Sequence, residues 1–202
     1  MKLSIRSCFV FSLLILLLIA GCKNRKKENP LFTLEKETGI NFINTVVDGP
    51  EENSFFYRNY YNGGGVAIGD INNDSLCDVL LTSNQGENKL YLNKGEFKFE
   101  DISLKSGMKQ DSMWSTGAVM ADVNNDGWLD IYVCNSGHMK NGNRRNKLYL
   151  NNKDLSFTES AAAYGLDIKA YTTHASFFDY DLDGDLDCFI INNSPMPINN
   201  LG

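Results

Sequence analysis

Beyond residue 60 the chain is written in short apolar runs, each closed off by Gly, Asn, Asp or Ser. Runs this short, rich in Val, Ile, Leu, Tyr and Phe and bounded by turn residues, predict β-strands. Helical periodicity is nearly absent, and only Ser160 to Tyr164 (SAAAY) reads as locally helical. The pattern therefore predicts an all-β chain.

The runs recur in register. Gly65 to Leu81 (GVAIGDINNDSLCDVLL) overlays Gly117 to Val133 (GAVMADVNNDGWLDIYV) and His174 to Ile190 (HASFFDYDLDGDLDCFI). Asp70, Asp122 and Asp179 open the shared acidic loop, 52 and then 57 residues apart. Downstream, Asn88–Asn93 (NKLYLN) returns as Asn146–Asn151, and the Phe99 to Met108 segment returns as Phe157 to Leu166. One period thus predicts four strands: a Gly-flanked strand, an apolar strand after the acidic loop (VLLT, IYVC, CFII), a KLYL strand, and a short one near Phe99 or Phe157. Four short antiparallel strands per repeat of roughly 50 residues make a β-propeller blade.

Repeat 1 is assigned to 64–115, repeat 2 to 116–173, and a truncated repeat 3 to 174–202. Phe32 to Ile40 (FTLEKETGI) matches the fourth-strand segments and is expected to form an N-terminal closing strand, with 31–63 holding that strand and a connection. A ring needs at least four blades. The expectation is an incomplete ring of about two and a half blades plus the closing strand, the front of a longer protein.

The N-terminus departs from this pattern. Lys2 and Arg6 precede the apolar run Cys8 to Ile19. Its 12 residues would rise about 18 Å as a helix, short of a bilayer core of roughly 30 Å. It reads as the h-region of a signal peptide over 1–21 rather than a spanning anchor. Ile19-Ala20-Gly21-Cys22 resembles a bacterial lipobox, which makes Cys22 the expected site of lipidation. The competing reading is an ordinary signal peptide followed by a chance Cys. Residues 22–30 form a polar, basic tether, whose charge could also lie against anionic headgroups.

Charge and composition then narrow the function. With 19 basic and 25 acidic residues the chain carries −6, against the basic face that nucleic acid requires. Downstream of Cys22 only Cys77, Cys134 and Cys188 remain, an odd count that argues against a disulfide framework. Each lies in or beside an apolar run and is expected as a small buried hydrophobe.

Eleven of the 25 acidic residues fall in the three loops. The loops read Asp70-x-Asn72-x-Asp74-Ser75-x-x-Asp78, Asp122-x-Asn124-x-Asp126-Gly127-x-x-Asp130 and Asp179-x-Asp181-x-Asp183-Gly184-x-x-Asp187. Side-chain oxygens at positions 1, 3, 5 and 9, with the backbone carbonyl of position 7 (Leu76, Trp128, Asp185), can converge on one hard cation. All-oxygen ligation points to calcium, up to three ions, and disfavours zinc or copper. An EF-hand is excluded, because position 12 is Leu81, Val133 or Ile190 in a β-rich run where that motif needs a bidentate Glu. A metal-free, Asx-rich hairpin is the alternative, most of all for loop one, where Ser75 replaces the turn Gly.

Together the loops, their place between two strands, and the NKLYLN segments resemble FG-GAP/VCBS repeats, the repeats of integrin α-chain propellers. The GGGVAIGDINND start with the preceding FxxxxxTGI-type segment is most similar to bacterial propeller proteins of the ASPIC/UnbV, cartilage-acidic-protein-like group. The resemblance covers residues 31–202. It implies a calcium-dressed propeller of seven or eight blades, whose further blades and C-terminal ASPIC domain lie outside these 202 residues.

Catalytic signatures are missing. Of the two His, His174 takes the slot of Gly65 and Gly117 and is expected as a packing variant, while His138 lies in a Gly/Asn loop. Gly63-Gly64-Gly65 precedes a strand, so it is no phosphate loop. Arg144-Arg145 is expected as a solvated loop. Trp114, Trp128 and the Tyr57–Tyr61 cluster suit blade packing, with sugar stacking as the alternative. The sequence thus predicts a lipid-anchored, calcium-binding propeller module at the bacterial cell envelope, on the periplasmic or surface face of the outer membrane, taking an unknown protein or glycan ligand and no nucleic acid. It is expected not to be an enzyme. The alternative is part of a carbohydrate-active propeller enzyme, a polysaccharide lyase or hydrolase, with its catalytic residues elsewhere.

Overall fold

A computed structural model of the chain describes residues 30–108, 113–137 and 143–194. Cys22 and His138 lie outside them. The chain divides into residues 1–35 and 36–202. In the first unit the described residues, 30–35, form no strand or helix, and Leu31, Phe32 and Leu34 are exposed.

The second unit is built of ten strands and, among the described residues, no helix. They are β1 Val66–Gly69, β2 Asp78–Leu81, β3 Lys89–Asn93, β4 Phe99–Asp101, β5 Trp114–Ala121, β6 Asp130–Ser136, β7 Lys147–Asn151, β8 Phe157–Glu159, β9 Thr172–Phe178 and β10 Asp187–Asn192. They pair as β1-β2-β3-β4, β5-β6-β7-β8 and β9-β10, every pair antiparallel. Two four-stranded blades and the first half of a third are therefore present, and the ring is not closed. β5 and β9 begin at Trp114 and Thr172, two residues ahead of the repeat boundaries read from the sequence. The SAAAY segment closes a single turn, Tyr164 N–H donating to Ser160 O, and does not become a helix. Five residues cannot offset the cost of helix nucleation.

Alternation along each strand sends one face to each neighbouring blade. Ala67, Leu80, Leu90 and Leu92 of the first blade pack with Ala118, Ile131 and Val133 of the second. The opposite face of the second blade, Tyr132, Cys134 and Leu148, takes Ala175, Phe177 and Ile190 of the third. Tyr132 and Phe177 meet edge to face, with centroids 5.7 Å apart. Each fully buried side chain of this size contributes about 1.5–3 kcal/mol, so the blade junctions are the main source of stability.

Polar ties repeat across the same junctions. Thr82 Oγ1 donates to Thr116 O of the second blade, and Thr116 Oγ1 donates to Thr172 O of the third at 2.7 Å. On the outer edge, Phe157 N–H donates to Ser106 O at 2.8 Å, joining the turn after one blade's last strand to the last strand of the next. Phe99 N–H makes the same bond to Thr38 O at 2.7 Å. Gly39 is required there, since a Cβ would fall 2.3 Å from Phe99 O and its φ is +86°. Residues 38–40 thus stand where the turn of a preceding blade would stand. The expected closing strand over 32–40 is nevertheless not a strand among the described residues, because no other described strand lies beside it to complete a ladder.

Candidate functional site

The three acidic loops all join the first and second strands of a blade, β1–β2, β5–β6 and β9–β10. Their backbones fold alike. Position 4 is left-handed in each, Asn73 (φ +58°), Asn125 (+55°) and Leu182 (+63°), and so is position 6, Ser75 (+69°), Gly127 (+84°) and Gly184 (+97°). The demand at position 6 is legible in the sequence from its Gly; the demand at position 4 was not expected, and Asn, tolerant of this region, is its signal in loops one and two.

Acidic side chains hold each loop. The first Asp accepts the amide of position 6 through Oδ2: Ser75 N–H to Asp70 and Gly127 N–H to Asp122, both 2.7 Å, and Gly184 N–H to Asp179, 3.2 Å. The last Asp accepts the amide of position 2: Ile71 N–H to Asp78 at 2.9 Å, Val123 N–H to Asp130 at 3.0 Å, Tyr180 N–H to Asp187 at 2.9 Å. Asp78 and Asp130 also accept, through Oδ1, the amides of Asn93 and Asn151 at the ends of β3 and β7. Both carboxylates are buried. Burial pushes their pKa above the usual carboxylate value, the backbone hydrogen bonds oppose it, and Asp70 with Asp74, or Asp122 with Asp126, adds to the rise.

Loop three differs. β10 has no third strand beside it among the described residues, so no Asn amide reaches Asp187. Asp179, Asp181 and Asp187 each bring one carboxylate oxygen within 4.8 Å of the others, and no other described group of three acidic, His or Cys side chains does so. Asp179 Oδ1 is buried with no hydrogen-bond partner. A buried lone carboxylate oxygen among like charges is costly without a compensating cation. A hard metal ion fits this donor set. Asp183 and Asp185 stand outside the trio. The hydrogen bond to Asp183, and its charge, raise the pKa of Asp185.

In loops one and two the predicted ligands do not gather in this way. Asn72 Nδ2 donates to Asp74 Oδ2 at 2.9 Å, and Asn124 Nδ2 donates to Asp126 Oδ2 at 3.3 Å. Asp74 N–H and Asp126 N–H each bond both the first Asp and the Asn of their own loop. Lys153 reaches Asp126 Oδ2 at 3.3 Å. The position-7 residues Leu76 and Trp128 donate their amides to Asp74 and Asp126, and Asp185 donates to Asp183.

Other residues singled out in the sequence find definite places. Trp114 is buried against Tyr57 and Tyr60, so packing is its role, while Tyr61 alone of that cluster is widely exposed. Arg144 lies over Tyr171, 4.5 Å from the ring centroid, and Arg145 pairs with Asp167, so neither is simply solvated. Cys134 is buried and Cys188 half-buried, but Cys77 is exposed, since loop one turns it outward. His174 is exposed and packs its ring beside Gly117.

Four-stranded blades with an acidic loop between their first two strands define a propeller-type repeat protein. Residues 70–133 match the FG-GAP-like repeat family. The chain is similar to cartilage acidic protein 1 of Xenopus tropicalis, 33% identical over 137 residues, covering 66% of this chain and 20% of that protein. It is also similar to the human protein of that name, 33% identical over 76 residues, covering 38% of this chain and 12% of the relative. The resemblance to FG-GAP repeats and to cartilage-acidic-protein-like chains, drawn from the repeated loops, is thus supported. The matches span only a fifth or less of these relatives' lengths.

Proposed function

We propose that the chain is the calcium-binding, lipid-anchored part of a propeller-type binding module at the bacterial cell envelope, with no catalytic role of its own. The observation that carries the metal reading is the convergence of Asp179, Asp181 and Asp187 around the unpartnered Asp179 Oδ1. Calcium is the preferred ion because the donors are all oxygen and the loop is short and exposed. Bound ions would neutralise carboxylates that otherwise repel, and would fix the hairpin between a blade's inner strands.

Terbium luminescence and calorimetric calcium titration test this reading. Binding should fall in the order loop three, two, one, with dissociation constants of roughly 10⁻⁴–10⁻³ M. Calcium at ten times its constant should add about 1.4 kcal/mol per site, so chelation should lower the melting temperature. Wild-type affinity in Asp179→Asn together with Asp187→Asn would remove the proposed site. The anchor is tested separately: the expressed protein should partition into detergent and label with palmitate, and Cys22→Ser should abolish both.

A further inference from the structure

The acidic loops occupy one end of the inner strands. At the other end, between the starts of β1, β5 and β9, a cleft of about 330 Å³ opens, lined by Tyr57, Asn59, Asn62, the Gly63–Val66 segment, Thr116–Ala118, Thr173 and His174. We propose that this cleft binds a neutral saccharide.

The chemistry of the lining carries the inference. Among the described residues no Lys, Arg, Asp or Glu lines the cleft, although 22% of the chain is charged. A charged ligand would lose water there without gaining a counter-charge. The lining hydroxyls of Tyr57, Thr116 and Thr173 are already bonded, to Ser136, to Cys134 O and Thr172 O, and to Ile191 O. The other polar side chains are two amides and an imidazole: Asn62 and His174 are exposed, Asn59 is partly so, and none makes a side-chain hydrogen bond among the described residues. Each offers donor and acceptor together, as a sugar hydroxyl requires in return. Between them lie Val66 and glycine Cα atoms, a C–H surface suited to the apolar face of a pyranose ring.

The walls are also fixed in advance. Gly65 N–H donates to Thr82 Oγ1 at 2.6 Å, and a Cβ at Gly65 would fall 2.5 Å from Thr116 O. A Cβ at Gly117 would fall 2.5 Å from Thr173 O and 2.8 Å from His174 Nδ1. The inner strands are therefore packed to backbone contact, and a ligand meets a cleft that is largely pre-formed, which lowers the ordering cost of binding. The volume lies at the small end for ligand pockets and suits one to three sugar rings.

This inference extends the binding-module reading but uses a site away from the calcium loops, so the two can fail separately. Saturation-transfer NMR of the protein with maltotriose, cellotriose and chitotriose is the test, with trigalacturonate as the anionic counterpart and an uncharged acetylated tetrapeptide amide as the peptide counterpart. At least one neutral trisaccharide should bind, and Asn62→Ala with His174→Ala should weaken it at least tenfold while melting and terbium binding stay as in wild type. Absence of transfer to all three neutral sugars, unchanged binding by the double variant, or preference for trigalacturonate or the peptide would overturn the proposal. Calcium binding lost with sugar binding kept would sink the loop reading alone.

Discussion

Asn151 Nδ2 donates to the carbonyl of Ile71 at 2.8 Å, carrying a buried bond from the end of β7 in the second blade to the acidic loop of the first. The same amide also reaches Leu129 O, in its own blade's loop, at 3.0 Å. Asn93, its counterpart in the first blade, reaches only Cys77 O in its own loop. One residue type at one repeat position thus does two jobs in the second blade and one in the first.

That difference predicts unequal effects of the same substitution. Asn151→Ala leaves buried carbonyls without a donor and should cost about 2–3 kcal/mol. Asn93→Ala, at a half-exposed site where the side-chain amide reaches one carbonyl instead of two, should cost about 1 kcal/mol. Urea unfolding of both variants measures the gap, and equal losses would show that the bond between blades contributes nothing extra.

The left-handed loop positions give a second prediction. Ser75 (φ +69°) and Leu182 (φ +63°) hold conformations that cost an L-residue about 1–2 kcal/mol, while Gly and Asn occupy the matching places in loop two. Ser75→Gly and Leu182→Asn should each stabilise the protein by about 1 kcal/mol, less what Gly adds to the entropy of the unfolded chain. Calcium affinity of loop one should rise with Ser75→Gly. Thermal melts and calcium titration of the two variants check both points, and a loss of stability in either would refute the loop geometry.

Cysteine chemistry offers a third. Cys77 is exposed and should react with a maleimide in the native protein. Cys134 is buried, and burial first, then the nearby Cys188, pushes its thiol up to about 12 from an ordinary 9.0. It should resist labelling until the protein unfolds. Because the folded state favours the neutral thiol, its contribution is complete below about pH 9, where the unfolded chain also keeps its proton, and is lost between there and about pH 12 as only the unfolded thiol ionises. Tyr132, raised chiefly by burial, acts in the same direction. Stability should therefore fall through the alkaline range, and Cys134→Val should flatten part of the slope.

The fourth prediction concerns unpaired surfaces. Ile68 occupies in the first blade the position at which Met120 of the second packs, partly buried, against the blade before it, yet Ile68 is 63% exposed. Phe189 and Ile191 similarly hold the positions of Tyr132 and Cys134 and are 59% and 49% exposed. Apolar faces, and a β10 edge with no further strand beside it among the described residues, invite pairing with other chains. Residues 22–202 on their own should self-associate even with calcium, and Phe189→Glu should reduce this. Light scattering after size exclusion decides it, and a monodisperse, cooperatively melting monomer would contradict the reading of these faces as blade junctions.

Strand content and blade order were legible in the sequence because both depend on local pattern. The apolar runs fix which residues alternate between faces, and repetition fixes which runs share a sheet, so VLLT, IYVC and CFII fall on the second strands. The acidic loops were legible for the same reason, since oxygen donors at alternate positions of a tight turn need no distant partner to be recognised. What only the tertiary structure decided depends on groups far apart in the chain. The amides of Asn93 and Asn151 occupy Asp78 and Asp130, while no such amide meets Asp187 among the described residues, so three loops of similar sequence differ in how their carboxylates gather. The exposure of Cys77, the pairing of Arg145 with Asp167, and the uncharged cleft between the starts of β1, β5 and β9 likewise arise from how blades lean on one another. Periodicity within a strand records which face a side chain takes, but carries no record of what the neighbouring blade places against it.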